Sequence, residues 1–194
     1  MNFKITRASA AAMLLACLIF LTSCGVDISG KPPFDDLAFS SDFSRISAPD
    51  GRTWQITFEY PVNSTFEGVV RHTSRWHDSA MPFMSHDILV TTGDFSSKSL
   101  VNVSVINHEF FYHYGGAKPN GSIHLLHAIP ISEEIYNQLV QVRDWNQAGI
   151  TGREIFRIDR YDSSGKSQGY WTDYGCNSIL VTAVNVRAEG TPIP

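Results

Sequence analysis

Ser122-Ile123-His124-Leu125-Leu126-His127-Ala128-Ile129-Pro130 runs directly into Ile131-Ser132-Glu133-Glu134-Ile135-Tyr136-Asn137-Gln138-Leu139, and this junction decides the fold. The first nine residues are a short, mostly apolar run of strand type. Ser132 then offers an N-cap hydroxyl, with Glu133 and Glu134 in the first turn, where carboxylates suit the positive end of the helix dipole. Ile135, Leu139 and Val142 recur at spacings of four and three, which puts them on one helix face. The helix fades near Asp144 to Gln147. A strand from Ile150 to Ile158, a turn at Asp162-Ser163-Ser164-Gly165 and a buried strand from Ile179 to Val186 follow. Strands, one helix and two more strands fit a small barrel of OB-like type in the second half of the chain.

Upstream, the pattern is also that of strands. Trp54, Ile56, Phe58 and Tyr60 alternate with Thr53, Gln55, Thr57 and Glu59, the period of a half-buried strand, and Pro61 ends it. Phe66 to His72 and Asp87 to Thr92 are further candidates, the second closed by a Gly93-Asp94 turn. Val101, Val103 and Val105 alternate with Asn102 and Ser104, and an aromatic run follows from His108 to Tyr114. Gly115-Gly116 and Pro119-Asn120-Gly121 supply turn chemistry, so Ser122 to Ile129 is expected to return as the hairpin partner. The expected fold is α+β and mainly β: a single compact domain of about eight short antiparallel strands and one helix.

The start of the chain reads differently. Lys4 and Arg7 precede an uncharged run from Ala8 to Phe20, which ends in Leu21-Thr22-Ser23-Cys24. A basic segment, an apolar run and small residues at a cleavage site describe an export signal, and the run falls short of the ~20 residues that span a bilayer. Leu-Thr-Ser-Cys resembles the lipobox of bacterial lipoproteins. The resemblance implies cleavage before Cys24 and acylation of its sulfur and new amine. Gly25 rather than Asp at the second mature position favours, by the same resemblance, the periplasmic face of the outer membrane. The expected organisation is a signal peptide over 1–23, lipidated Cys24 with a Gly- and Pro-containing tether to residue 34, one globular domain over 35–187, and a frayed tail over 188–194.

Removing 1–23 leaves 171 residues, enough for one domain with a real core. The signal holds two basic and no acidic residues, so its loss takes the formal charge from −4 to −6. An acidic surface argues against nucleic acid as a partner. With Cys17 in the signal and Cys24 lipidated, Cys176 stands alone, and free cysteine most often serves as a small buried hydrophobe. Its alternative is a nucleophile with His127 or His113 as base, although no family signature surrounds Gly175-Cys176-Asn177.

Seven histidines are the chemical concentration of the chain. His124 and His127 are three apart, and an odd separation in a strand sends them to opposite faces; His108 and His113 separate in the same way. A metal site would have to be assembled across strands from His108, His113, His124 and His127, with Glu109 able to join, since no HExxH, CxxC or calcium-loop pattern is present. No metal or other cofactor is expected. Strand alternation puts His108, Phe110, Tyr112 and Tyr114 on one face, where Tyr112 is placed to stack on a flat ligand. GxSxG, SxxK, P-loop and GxGxxG patterns are absent, so no catalytic residue is assigned and no enzyme is expected.

His127-x-x-Pro130, the helix with Leu139 and Val142, Ile150-Thr151-Gly152, Gly169-Tyr170-Trp171, Asp173, Gly175 and the strand Ile179-Leu180-Val181 occur in an order that resembles a group of uncharacterised bacterial proteins, many of them membrane-associated. The resemblance covers residues 80–186 and brings no activity with it. It directs attention to His127, Pro130, Gly152, Trp171, Asp173 and Gly175. Together with Tyr112, the residues His127, Trp171 and Asp173 are the ligand-binding candidates. The expected function is a non-enzymatic, lipid-anchored envelope protein, a binding or accessory module that binds or supports another envelope component; its expected partners are the membrane, through the lipid, and an envelope protein or small ligand. The alternatives are a periplasmic metal- or ligand-binding protein using the histidines, and an envelope hydrolase built on Cys176 or a histidine-activated water.

Overall fold

The computed structural model describes residues 31–76, 78–172 and 175–187. The signal segment, Cys24 with most of the tether, Asp173 and the 188–194 tail lie outside the described residues.

Among those residues the chain forms eleven strands and one α-helix. They are β1 (Ala38–Phe39), β2 (Arg45–Ser47), β3 (Thr53–Phe58), β4 (Ser64–Arg75), β5 (His86–Thr91), β6 (Val101–Ile106), β7 (Glu109–Tyr114), β8 (Ile123–Pro130), α1 (Glu133–Leu139), β9 (Gln147–Tyr161), β10 (Ser167–Trp171) and β11 (Asn177–Arg187). A 3-10 turn, Gly93–Ser96, follows β5. The Ser132 hydroxyl accepts the Ile135 amide at 3.3 Å, so the helix starts where its cap residue predicts.

Two long strands change partners along their length, and this closes the barrel. β4 pairs with β9 over Ser64–Val69, then with β5 over Val69–Arg75. β9 pairs with β4 and β11 in its first part and with β3 and β10 in its second. The ring β4-β5-β8-β11-β9 therefore returns to β4. Its β8–β11 seam is parallel and the other four seams are antiparallel. A five-stranded closed Greek-key barrel with its helix between the third and fourth barrel strands is the OB-type arrangement. The fold is mainly β with one helix, as the sequence predicts. The barrel reaches further upstream than the second half of the chain, because Ser64–Arg75 and His86–Thr91 supply two of its strands.

Glycine permits the closest approaches. A Cβ on Gly68, where β4 switches partner, would sit 2.1 Å from the Thr91 carbonyl oxygen. On Gly152 it would sit 2.2 Å from the Leu180 oxygen, beside the irregular pairing of β11.

Alternation along the barrel strands divides the apolar residues into two cores. Val70, Ile88, Val90, Leu126, Ala128, Ile150 and Ile179 fill the barrel, and α1 closes one end with Ile135 and Leu139. Trp54, Ile56, Phe83, Met84, Ile129, Ile158 and Leu180 form the second core, between the outside of the barrel and the β1–β3 sheet carried on the far part of β9. Trp54 donates its indole N–H to the Ala80 carbonyl at 2.9 Å and meets Phe83 edge-on. Lys31 pairs with Glu133, and Phe34 packs edge-on against Tyr136, so residues 31–34 rest on α1.

The central hairpin differs from the expectation. β6 pairs with β7 around a two-residue turn at Asn107-His108, whose φ values are +50° and +65°. Both central residues left-handed is the type I′ geometry that suits strand twist. Gly115-Gly116 and Pro119-Asn120-Gly121 instead link β7 to β8, which pairs with β5 and β11. His108 consequently sits at a hairpin tip and not in line with Phe110, Tyr112 and Tyr114.

Candidate functional site

β5 and β8 place Asp87 and His127 directly opposite each other in an antiparallel ladder. Their neighbours Ile88, Leu126 and Ala128 point into the barrel, so by alternation these two side chains face its outer surface. Both are nonetheless buried, at 2% exposure each. Asp87 Oδ1 takes the Nδ1 proton of His127 at 2.8 Å. Its other oxygen takes the Nδ1 proton of His108 at 2.6 Å. One carboxylate thus orients two imidazoles, and both rings donate through Nδ1, since an ionised carboxylate only accepts.

Aromatic rings surround this polar centre. Trp76, just past the end of β4, lies against His108 with centroids 3.5 Å apart and planes tilted by 32°. It meets His127 and Trp171 nearly at right angles, at 5.1 and 5.6 Å. Trp171, at the end of β10, donates its indole N–H to Ser178 Oγ at 3.1 Å and stands 5.8 Å from His127. His108 remains 44% exposed in its side chain and forms the solvent-facing cover of the cluster.

The β6–β7 hairpin that carries His108 is a separate two-stranded sheet. It is tied to the barrel at both ends. Buried Arg71 donates to the carbonyls of Phe95 and of Val101, at the hairpin base, and lies over the Trp145 ring. At the tip, His108 makes the tie to Asp87. Cys176 adds a weak contact, its thiol 3.7 Å from the His108 carbonyl oxygen.

His108 and His127 therefore converge, and the other histidine candidates do not join them. His113 projects from the opposite, exposed face of the hairpin, and His124 packs against Phe66 at 5.1 Å. Tyr112 belongs to a ladder with Phe110 and Tyr114 and meets Phe95 edge-on. Of the ligand-binding candidates, Trp171 and His127 lie in the cluster, Tyr112 lies elsewhere on the hairpin, and Asp173 lies outside the described residues. No group of three or more metal-donor side chains forms among the described residues. Cys176 donates to a main-chain carbonyl and Ser178 accepts from an indole, so neither is presented to an imidazole as a nucleophile. Asp87 and Trp76 are absent from the sequence-based candidates. The available signal is an acidic residue at the head of the apolar run Ile88-Leu89-Val90, which a strand buries only with a partner.

Next to this cluster, His86 is buried beside Tyr136 and within hydrogen-bonding distance of Ser85 Oγ, at 2.9 Å. Burial, reinforced by the charges of Arg75 and Arg143, pushes its pKa down to about 4. It is a neutral ring at physiological pH.

No family model and no curated protein matches the chain. Two solved structures of the mitochondrial single-stranded DNA binding protein Rim1 from S. cerevisiae are similar to it at 8% identity, with TM-scores of 0.28 and 0.30. Each match covers 70% of this chain and 100% of the other. At these scores the likeness carries no argument about what this chain binds. One expectation is nonetheless withdrawn: acidic net charge by itself does not exclude nucleic acid as a partner. Net charge is a sum over the whole chain, whereas single strands are held by a local groove and by stacking on aromatic rings.

Proposed function

We propose that this chain is a lipid-anchored protein of the bacterial cell envelope whose barrel acts as a binding module, with the Trp76–His108–His127–Trp171 cluster around Asp87 as its recognition site. The anchoring half of this reading rests on Leu21-Thr22-Ser23-Cys24. The binding half rests on one observation: a buried carboxylate fixes two imidazoles against two indoles on the outer face of the β5–β8 ladder. That is a preorganised polar centre in an apolar frame, the composition of sites that bind by orientation. The outer face of the second and third barrel strands, flanked by their loops, is also where OB barrels commonly engage ligands.

Two experiments test the two halves separately. Metabolic labelling with an alkyne fatty acid should mark the full chain and leave Cys24→Ser unmarked and unprocessed; equal labelling of both removes the anchor. A photo-crosslinking residue at Trp171, in cells, should give a defined adduct that Asp87→Asn reduces at least fivefold, while the same probe at exposed Lys98 gives none. No adduct, or an adduct indifferent to Asp87, removes the recognition site.

A further inference from the structure

On a different face of the barrel, the outer surface of β4, β9 and β11 borders a cleft of about 500 Å³. Its far wall is the segment from Thr91 to Gly93 with Ser96. The ladder registers set out the floor. Glu67, Gly149 and Asn185 form one row across the three strands, and Val69, Gln147 and Arg187 form the next. Phe66, Ala148, Ile150, Val184 and Val186 alternate with them and pack inward.

The hydroxyls along this cleft are already engaged. Thr91 Oγ1 donates to the Val69 carbonyl at 3.0 Å, Ser96 Oγ to the Thr91 carbonyl at 2.9 Å, and Thr92 Oγ1 bonds Ser122 Oγ at 2.9 Å. The longer polar side chains are not: Glu67, Gln147, Asn185 and Arg187 make no hydrogen bond or ion pair with another described residue. Gly149 is the gap between them. Its backbone is not left-handed, and a Cβ there would meet only the Glu67 side chain, at 3.4 Å. The absent side chain therefore opens space above the floor and answers no need of the main chain.

We propose that this cleft binds a short peptide with free termini, its carboxylate on Arg187 and its ammonium on Glu67. The two charges are opposite and unpaired; two ladder spacings of about 5 Å each and a two-residue offset of about 7 Å along the strand set their Cα atoms about 12 Å apart, a gap that both long side chains can lean in to narrow. An extended tripeptide spans about 10 Å between its ends. Gln147 and Asn185, lying between the charges, each provide a donor and an acceptor, which is what peptide groups require. The cleft residues carry no aromatic ring, so a sugar would find no stacking surface there, and the balanced charge disfavours a simple anion or cation.

Calorimetric titration of the detergent-solubilised full chain with trialanine tests this. Saturable one-to-one binding is expected, at least tenfold weaker in Glu67→Gln and in Arg187→Met, and lost in Gly149→Leu. N-acetyl-trialanine amide, which has neither charge, should give no binding. The proposal is overturned by no saturable heat with trialanine, by equal binding of the capped peptide, or by less than a threefold change in both charge variants. Retained binding in a folded Gly149→Leu also overturns it. If that variant unfolds, the two charge variants and the capped peptide decide the matter alone.

Discussion

Asp87 and His127 face each other across the β5–β8 ladder, and the carboxylate oxygen that His127 leaves unused reaches 2.6 Å to His108 on a hairpin 21 residues further along the chain. A contact between two barrel strands is thereby extended to an element outside the barrel. Stability of the barrel face and position of the hairpin tip depend on the same carboxylate.

Replacing Asp87 with Asn keeps the size of the side chain but leaves it one carbonyl oxygen for two Nδ1 donors. One imidazole must then either face the new NH2 group donor to donor or move its proton to Nε2 to accept from it, and the charge-assisted bond is lost either way, which costs about 1–3 kcal/mol. Urea unfolding should show that loss. Hydrogen exchange over residues 101–114 should accelerate more than exchange in β9, and uniform acceleration would argue against the tie.

His108→Ala tests the tip alone. The residue is mostly outside the core, and its left-handed backbone is unfavourable for any residue with a Cβ. Losing the ties to Asp87 and Trp76 should expose the hairpin to limited proteolysis near Phe110–Tyr114 while the unfolding midpoint falls by only a few degrees. His108→Gly should be cut as readily, since it eases the backbone without restoring the tie. A variant as resistant as the parent would show that Arg71 at the base is sufficient to hold the hairpin.

Two glycines on β9 should respond in opposite ways. Gly152→Ala drives a methyl group into the Leu180 carbonyl, 2.2 Å away, where backbone must move; overpacking of this kind costs about 1–3 kcal/mol or more. Gly149→Ala meets only the flexible Glu67 side chain at 3.4 Å, and should be neutral or stabilising by about 0.5 kcal/mol through the unfolded chain. Thermal unfolding of the pair gives the comparison directly.

The depressed pKa of His86, about 4 in the fold against an ordinary 6.5, makes a pH prediction. The unfolded chain takes up a proton below pH 6.5 and the folded chain does not until about pH 4. Stability from this group is complete above 6.5 and lost as pH falls through that window, up to about 3 kcal/mol. His86→Gln should flatten the stability profile between pH 6.5 and 4, measured by urea unfolding at stepped pH. An unchanged slope would assign the acid sensitivity to other groups.

Local chemistry was the legible part of this chain. The alternation of Thr53 to Phe58, the Ser132 cap and the Asp162–Gly165 turn each act within a few residues, and the structure has all three. The Asn107-His108 turn was not legible, because it achieves two positive φ values without a glycine, while Gly115-Gly116 nearby carries the stronger turn signal. The candidate site was legible only in part, for a similar reason. His127 and Trp171 stand out by residue type, but their convergence needs Asp87 and Trp76, and depends on the register between strands 40 residues apart. Barrel closure is more remote still, since neither half of β4 signals which strand it joins.

That closure has a consequence for what the barrel can lose. Residues 64–69 pair with 147–152, and β11, later in the chain than any of them, lies between β8 and β9. The ring can therefore close only in a chain that already includes residues 177–187, and a chain lacking them leaves β8 and β9 with unpaired edges. Loss of β11 would yield an open, sticky sheet and not a smaller barrel, so the soundness of every other barrel strand hangs on a segment more than a hundred residues from β4.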